Sequence, residues 1–160
     1  MSPLWDTLWR PATVWWRDLA FWLMFGGGVP FCLFLEYMRG SGLLPFSLSY
    51  GGGRGGWLFV PVVVYPILEE MVFRGLIQGA MRHSALGQRQ FLGLTLANFM
   101  TTLLFSFAHM ATRTPLVGLL VLIPSLIFGF FRDRFDHIGP GMILHIFYNM
   151  LCLGWIKNMG

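Results

Sequence analysis

The sequence predicts an all-α fold: a polytopic bundle of about five transmembrane helices, with an interfacial helix at its N-terminus. Three observations carry that expectation. Of the 160 residues, 56% are hydrophobic, 17% aromatic and only 11% charged, whereas a soluble domain carries about 25% charged residues. Mean hydropathy is +0.64. The apolar residues also fall into five runs, most of them near the ~20 residues that cross a bilayer, separated by segments rich in Gly, Pro or charge.

Residues 1–18 place Trp5, Trp9, Trp15 and Trp16 among Asp6, Arg10, Arg17 and Asp18. That is not a basic stretch leading into a smooth apolar core, so it reads as an interfacial segment rather than a cleavable leader. It predicts short amphipathic helices interrupted near Pro11, with Trp at headgroup level. The first span runs from Leu19 to Met38, with a kink expected at Gly26-Gly27-Gly28 and Pro30. Residues 39–56 contain Gly51-Gly52-Gly53-Arg54-Gly55-Gly56. A phosphate loop would end in Gly-Lys-Ser/Thr, so this stretch reads as a flexible connection. The second span runs from Trp57 to Met81, and residues 82–90 form a polar turn.

The third span runs from Phe91 to Ala111 and is broken by Thr112-Arg113-Thr114-Pro115. The fourth, from Leu116 to Phe131, is short, and Arg132-Asp133-Arg134-Phe135-Asp136-His137 is a charged turn. The fifth runs from Gly139 to Ile156. The whole chain, 1–160, reads as a single integral-membrane domain. Sorting the loop cations by side puts Arg10, Arg17, Arg82, Arg89, Arg132 and Arg134 opposite Arg39, Arg54, Arg113 and Lys157. The excess favours a cytoplasmic N-terminus.

Net charge is +4, from 11 Lys and Arg against 7 Asp and Glu. No basic cluster alternates with exposed aromatics, so nucleic acid is not an expected partner. Cys32 and Cys152 sit in separate apolar runs with no CxxC spacing. They read as small buried hydrophobes rather than as a disulfide framework.

The functional signal is Leu68-Glu69-Glu70-Met71-Val72-Phe73-Arg74, which puts three charges inside an apolar run. Each costs about 2.5–3.5 kcal/mol at the centre of a span. Residues four apart share a helix face, so Glu70 and Arg74 pair and brace the helix. Glu69 points about 100° away. A structural ion-pair network explains Glu70 and Arg74 but leaves Glu69 without a partner. The third span offers His109, with Phe105 one turn earlier; the fifth offers His145 and Asn149, also one turn apart. Unpaired in hydrocarbon, each of these groups would be costly, and convergence on one wet pocket removes that cost.

Such a pocket suits hydrolysis. Glu69 can take a proton from water, while histidines and an amide hold that water and donate to a developing oxyanion. No Ser-His-Asp or Cys-His set is visible. Ser106, near His109, lies off the Phe105–His109 face. His83 and His137 sit in polar turns and read as solvent histidines. With these boundaries His109 lies near the end of its span and His145 near the start of its own. Their depths would differ by about 18 Å at 1.5 Å per residue unless helices are tilted or broken near Pro66 and Pro115. An irregular bundle with a water-accessible cleft is expected.

Glu69-Glu70-x-x-x-Arg74, Phe105-x-x-x-His109 and His145-x-x-x-Asn149 resemble, in order, the motifs of the CPBP family. These are the CAAX proteases and bacteriocin-processing enzymes, also called ABI or type II CAAX prenyl endopeptidases. Phe73-Arg74-Gly75 and the Gly-rich, Arg-containing turn before His145 fit as well. The resemblance covers residues 57–155 and implies an intramembrane glutamic endopeptidase with that stretch as its catalytic core. It implies that Glu69 activates water, His109 helps hold it, and His145 with Asn149 forms the oxyanion site. Glu70, Arg74 and Phe105 would support them, with no cofactor. The partner implied is a membrane-associated protein or peptide, in the lipid bilayer of a bacterial cell membrane. One span precedes the motif core, where CAAX-processing relatives often have several. The short length better suits trimming of C-terminal sorting tails than prenylated CAAX substrates. Two alternatives remain. Glu69, His109 and His145 form a His₂Glu set of the kind catalytic zinc uses. The same buried groups would also serve a small transporter or a bacteriocin-immunity protein, although no internal repeat is present.

Overall fold

The computed structural model describes the backbone of residues 14–42 and 59–158 and the side chains as far as Leu153. The expected amphipathic helices before Val14 and the Gly-rich connection at 51–56 lie outside the described residues. After a short 3₁₀ turn at Trp15–Arg17, α1 spans Leu19–Gly40 and runs unbroken through the three glycines and Pro30. Its N-terminus is capped by Asp18, whose carboxylate accepts from the Phe21 N–H at 3.2 Å, satisfying one of the orphan first-turn donors.

Helix α2 covers 59–82 and is not uniformly α-helical. Its hydrogen bonds widen to the i→i+5 pattern at Val60–Val64 and again at Met71–Gln78. Between them Tyr65–Glu70 is α-helical and carries the acidic pair. Such widened turns are rare and gather at functional sites. In this widened pattern Tyr65 donates to the Val60 carbonyl, and Pro66, which has no N–H, cannot answer the Pro61 carbonyl five residues earlier.

The next helix does not begin at Phe91 as expected. A two-residue antiparallel ribbon pairs Gln90 with Thr95 and Phe91 with Leu94. Leu92 and Gly93 turn it with φ of 51° and 80°, the sign pattern of a tight two-residue hairpin. Helix α3, Leu96–Thr112, starts behind it with Thr95 as its cap. Helix α4, Pro115–Leu120, is capped by Thr114, and α5, Leu122–Phe135, follows after a bend at Val121. The expected charged turn at 132–137 is therefore corrected: its first four residues are helical. Arg132 and Asp136, four apart, form an ion pair at 2.7 Å, and Asp136 ends the helix with φ 50°. Helix α6 is Gly139–Asn158.

Among the described residues, two stretches, Leu19–Gly40 and Pro115–Phe135, are long and apolar enough to cross a membrane, and Gly139–Leu153 is apolar but shorter. Only 17% of the apolar window of α1 is buried inside the molecule, so most of that face needs a non-aqueous solvent. Trp22, Leu23, Phe34, Phe107 and Ile123 are among the large side chains left exposed.

The core lies between α1, α5 and α6, around Phe21, Phe128, Phe131, Leu144 and Tyr148. Gly28 lets α1 reach α6: a Cβ there would sit 2.5 Å from the Tyr148 ring. Tyr148 donates its hydroxyl to the Met24 carbonyl at 2.6 Å. Cys32 and Cys152 are joined as a disulfide, which overturns their reading as separate small hydrophobes. The spacing gave no sign of it because the bond closes 120 residues of chain.

Candidate active site

Glu69 and Glu70 leave α2 on different faces, as the helical turn requires. Glu70 is fully buried, while the Glu69 side chain keeps 31% of its exposure. Glu70 pairs with Arg74 at 3.6 Å. The Arg74 guanidinium also donates to the Ser125 hydroxyl at 2.8 Å and its carbonyl at 3.1 Å, and lies 5.3 Å over the Phe105 ring.

Glu70 does more than neutralise Arg74. It accepts a hydrogen bond from His145 Nδ1 at 3.1 Å, so α2 and α6 are tied at the acidic pair. The other ring nitrogen, Nε2, lies 3.5 Å from Glu69. Glu69 is therefore not without a partner: His145 bridges both glutamates. Phe128 stacks on the His145 ring, centroids 4.9 Å apart. Gly141 permits the close approach, since a Cβ would meet Glu70 Oε2 at 3.2 Å.

His109 is held from within its own helix. Its Nδ1 lies 3.0 Å from the Phe105 carbonyl. A carbonyl only accepts, so Nδ1 carries the hydrogen and Nε2 of the neutral ring is the acceptor. The two histidines are closer in depth than the sequence boundaries implied. His109 is thirteen residues into α3 and His145 six into α6, a difference of about 10 Å. Phe105 spans it, with its ring 4.3 Å from His109 and 5.9 Å from His145. Phe105 is thus a buried wall between the histidines.

Asn149 donates to the Pro61 carbonyl at 3.1 Å. This is the acceptor that Pro66 leaves unmet, so Asn149 holds the widened turn of α2 against α6. Glu69, His109, His145 and Asn149 all line one cavity of about 730 Å³. Its remaining walls are mostly apolar, from Phe31 and Leu35 on α1 to Val117, Val121 and Pro124. Ser106 is turned away and donates to the Gly118 carbonyl at 2.6 Å. Among the described residues, no three His, Cys, Asp or Glu side chains stand close enough to hold a metal ion. The Glu69, His109 and His145 set needed for zinc is not assembled at coordination distances.

A second polar cluster lies further along α2. Gln78 donates to the Gly129 carbonyl at 3.0 Å and to Asp133 at 2.9 Å. Arg82 reaches Asp133 at 3.2 Å and Asp136 at 2.7 Å, and Thr95 donates to Asp133 at 2.6 Å. Burial pushes the Asp136 carboxyl up, but hydrogen bonds from Arg132 and Arg82 outweigh it and leave it below its ordinary value.

The sequence pattern of the type II CAAX prenyl endopeptidase, Rce1-like family matches residues 54–151. The chain belongs to this family. It is thereby a member of a family of membrane proteases, integrated in the bilayer through its apolar helices. No curated protein and no solved structure matches the chain. The matched residues take in the acidic pair, both site histidines and Asn149, and leave α1 outside.

Proposed function

We propose that this protein is a multi-pass intramembrane endopeptidase of the glutamic type, cleaving near the C-terminus of a membrane-associated protein or peptide. The observation that carries the reading is the convergence of Glu69, His109, His145 and Asn149, from three helices, on one cavity. Glu69 is the carboxylate of the pair that faces it with exposure to spare. In this reading Glu69 removes a proton from a water held with His109, whose Nε2 is oriented as an acceptor by the Phe105 carbonyl. The water's oxygen attacks the scissile carbonyl, and the oxyanion is met by His145 and the second N–H of Asn149. His145 donates from Nε2 while Nδ1 stays on Glu70, so it acts as the imidazolium. The proton taken by Glu69 passes to the leaving amine. Glu70, Arg74 and Phe105 are positioning residues: they fix the His145 ring and the walls around it.

The catalytic core is the region from 57 to 155, in a single integral-membrane domain. The N-terminus is cytoplasmic by the excess of cations on its side. The cavity's largely apolar lining suits a substrate segment that is itself apolar. Comparative mass spectrometry of membrane proteins tests the function, using cells with the protein, without it, and with Glu69→Gln. One chain shortened at its C-terminus only with the wild type is the expected result. An identical set of C-termini in all three would overturn the reading.

A further inference from the structure

Helix α1 lies outside the family match, yet a covalent bond fastens it to the wall of the cavity. Helices α1 and α6 run parallel. Phe25 stacks on Phe147 at 3.8 Å, Tyr148 donates to the Met24 carbonyl, and further along both helices Cys32 is bonded to Cys152. Cys32 lies eight residues before the end of α1, about 12 Å of rise, and fourteen after Asp18, about 21 Å. The bond thus belongs to the end of the bundle where α1 stops, α2 starts and α3 stops. The cavity extends to that same end. Leu35, Thr112, Arg113 and Thr114 rim it, and Cys152 lines its wall one turn beyond Asn149. The opposite end carries Arg17, Arg82, Arg89, Arg132 and Arg134.

We propose that the cavity opens on the oxidising, non-cytoplasmic side of the membrane. Its substrates are then anchored chains whose scissile bond lies at the outer edge of their hydrophobic segment. Two independent observations point the same way. Disulfides persist in oxidising compartments and are rare where thiols are kept reduced. Cations are in excess on the end remote from the bond, as the cytoplasmic side requires. Closing the bond removes two protons and two electrons from the two thiols. A disulfide-bearing protein oxidant of that compartment accepts them and becomes a dithiol. The substrate half rests on the peptidase reading; the orientation does not.

The test uses the full chain in spheroplasts, with the native cysteines kept and one cysteine added by Ser41→Cys or Gln90→Cys. Both positions are exposed, at opposite ends. A membrane-impermeant maleimide is expected to label Ser41→Cys directly and Gln90→Cys only after permeabilisation. The native pair, in denatured protein, is expected to label only after reduction. The reverse pattern at the two added cysteines overturns the orientation, and native thiols that label without reductant overturn the disulfide argument. In the chain found shortened by the protein, a cleavage site at the outer end of its hydrophobic segment supports the substrate half. A site at the inner end overturns it. If no chain is shortened, the peptidase reading fails, while the labelling still decides the orientation.

Discussion

Helix α2 carries two polar clusters, and they resolve their charges differently. From Arg74 to Arg82 each side chain finds a partner in or capping α3 and α5 (Ser125, Asp133, Asp136, Thr95 and the Gly129 carbonyl), although Arg74 Nη1 and Gln78 Oε1 are buried without a hydrogen bond. One turn earlier, Glu69 meets His145 only at 3.5 Å and otherwise faces a cavity. Charge inside an apolar molecule is therefore not by itself a site. The sealed cluster holds three elements together. The open one leaves a carboxylate with room beside it for water and a peptide, and that room is what hydrolysis requires.

The comparison breaks most visibly if the open cluster turns out to be scaffold. Glu69→Gln keeps the size and half-exposed setting of the side chain but removes the base. Cleavage should fall by about 10²–10⁴-fold, with helicity by circular dichroism and thermal unfolding unchanged. The next largest effect belongs to the sealed side. Arg74→Met leaves Glu70 buried without its cation and should cost about 3–5 kcal/mol, read by unfolding in detergent. Adding Glu70→Gln to Arg74→Met should recover part of that loss, because the unpaired charge is gone.

Asn149→Ala sharpens the boundary between the clusters, since Asn149 touches both scaffold and cavity. Orphaning the Pro61 carbonyl should cost about 1–3 kcal/mol of stability. If its second N–H also meets the oxyanion, kcat should fall by about 10²–10³-fold with little change in KM. A stability loss alone would move Asn149 to the scaffold. The smallest effect is at the exposed edge. Arg134 donates to Asp18 at 2.6 and 3.0 Å, and this holds the Asp18 carboxyl below its usual value, against the opposing effect of burial. The contribution is fully present above about pH 4 and is lost as pH falls through the lowered folded-state value. Arg134→Gln should cost under about 1 kcal/mol at pH 7 and flatten that part of the acid-unfolding profile.

The all-helical frame was legible because apolar run length and breaker residues are local signals. So were the Glu70–Arg74 pair and the separation of Glu69 from Glu70, which follow from helical spacing alone. What escaped were features set by other segments. The start of α3 was misplaced because Phe91 and Leu92 are apolar, yet Gly93 and the capping Thr95 impose a hairpin first. The stretch from Arg132 to Phe135 looked like a turn because two of its charges are answered from distant segments, Asp133 by Arg82 and Gln78 and Arg134 by Asp18. The i,i+4 spacing of Arg132 and Asp136 was the available sign of helix. Phe128, stacked on His145, had no signal at all in a run of similar residues. Pro66 marked a helix short of one N–H, but that the Pro61 carbonyl is the one left over follows only from the widened turn, and Asn149 answers it. The disulfide was invisible because nothing local relates Cys32 to Cys152.

The central claim is that two adjacent glutamates have different jobs, Glu69 on water and Glu70 on the His145 ring. Purified wild type, Glu69→Gln and Glu70→Gln, each incubated with the shortened chain's full-length precursor, test it most directly. The account predicts that Glu69→Gln retains uncleaved precursor on purification and releases product at least about 10²-fold more slowly than the wild type. Glu70→Gln should cleave slowly and unfold at lower temperature. A Glu69→Gln protein that releases product at the wild-type rate would contradict it.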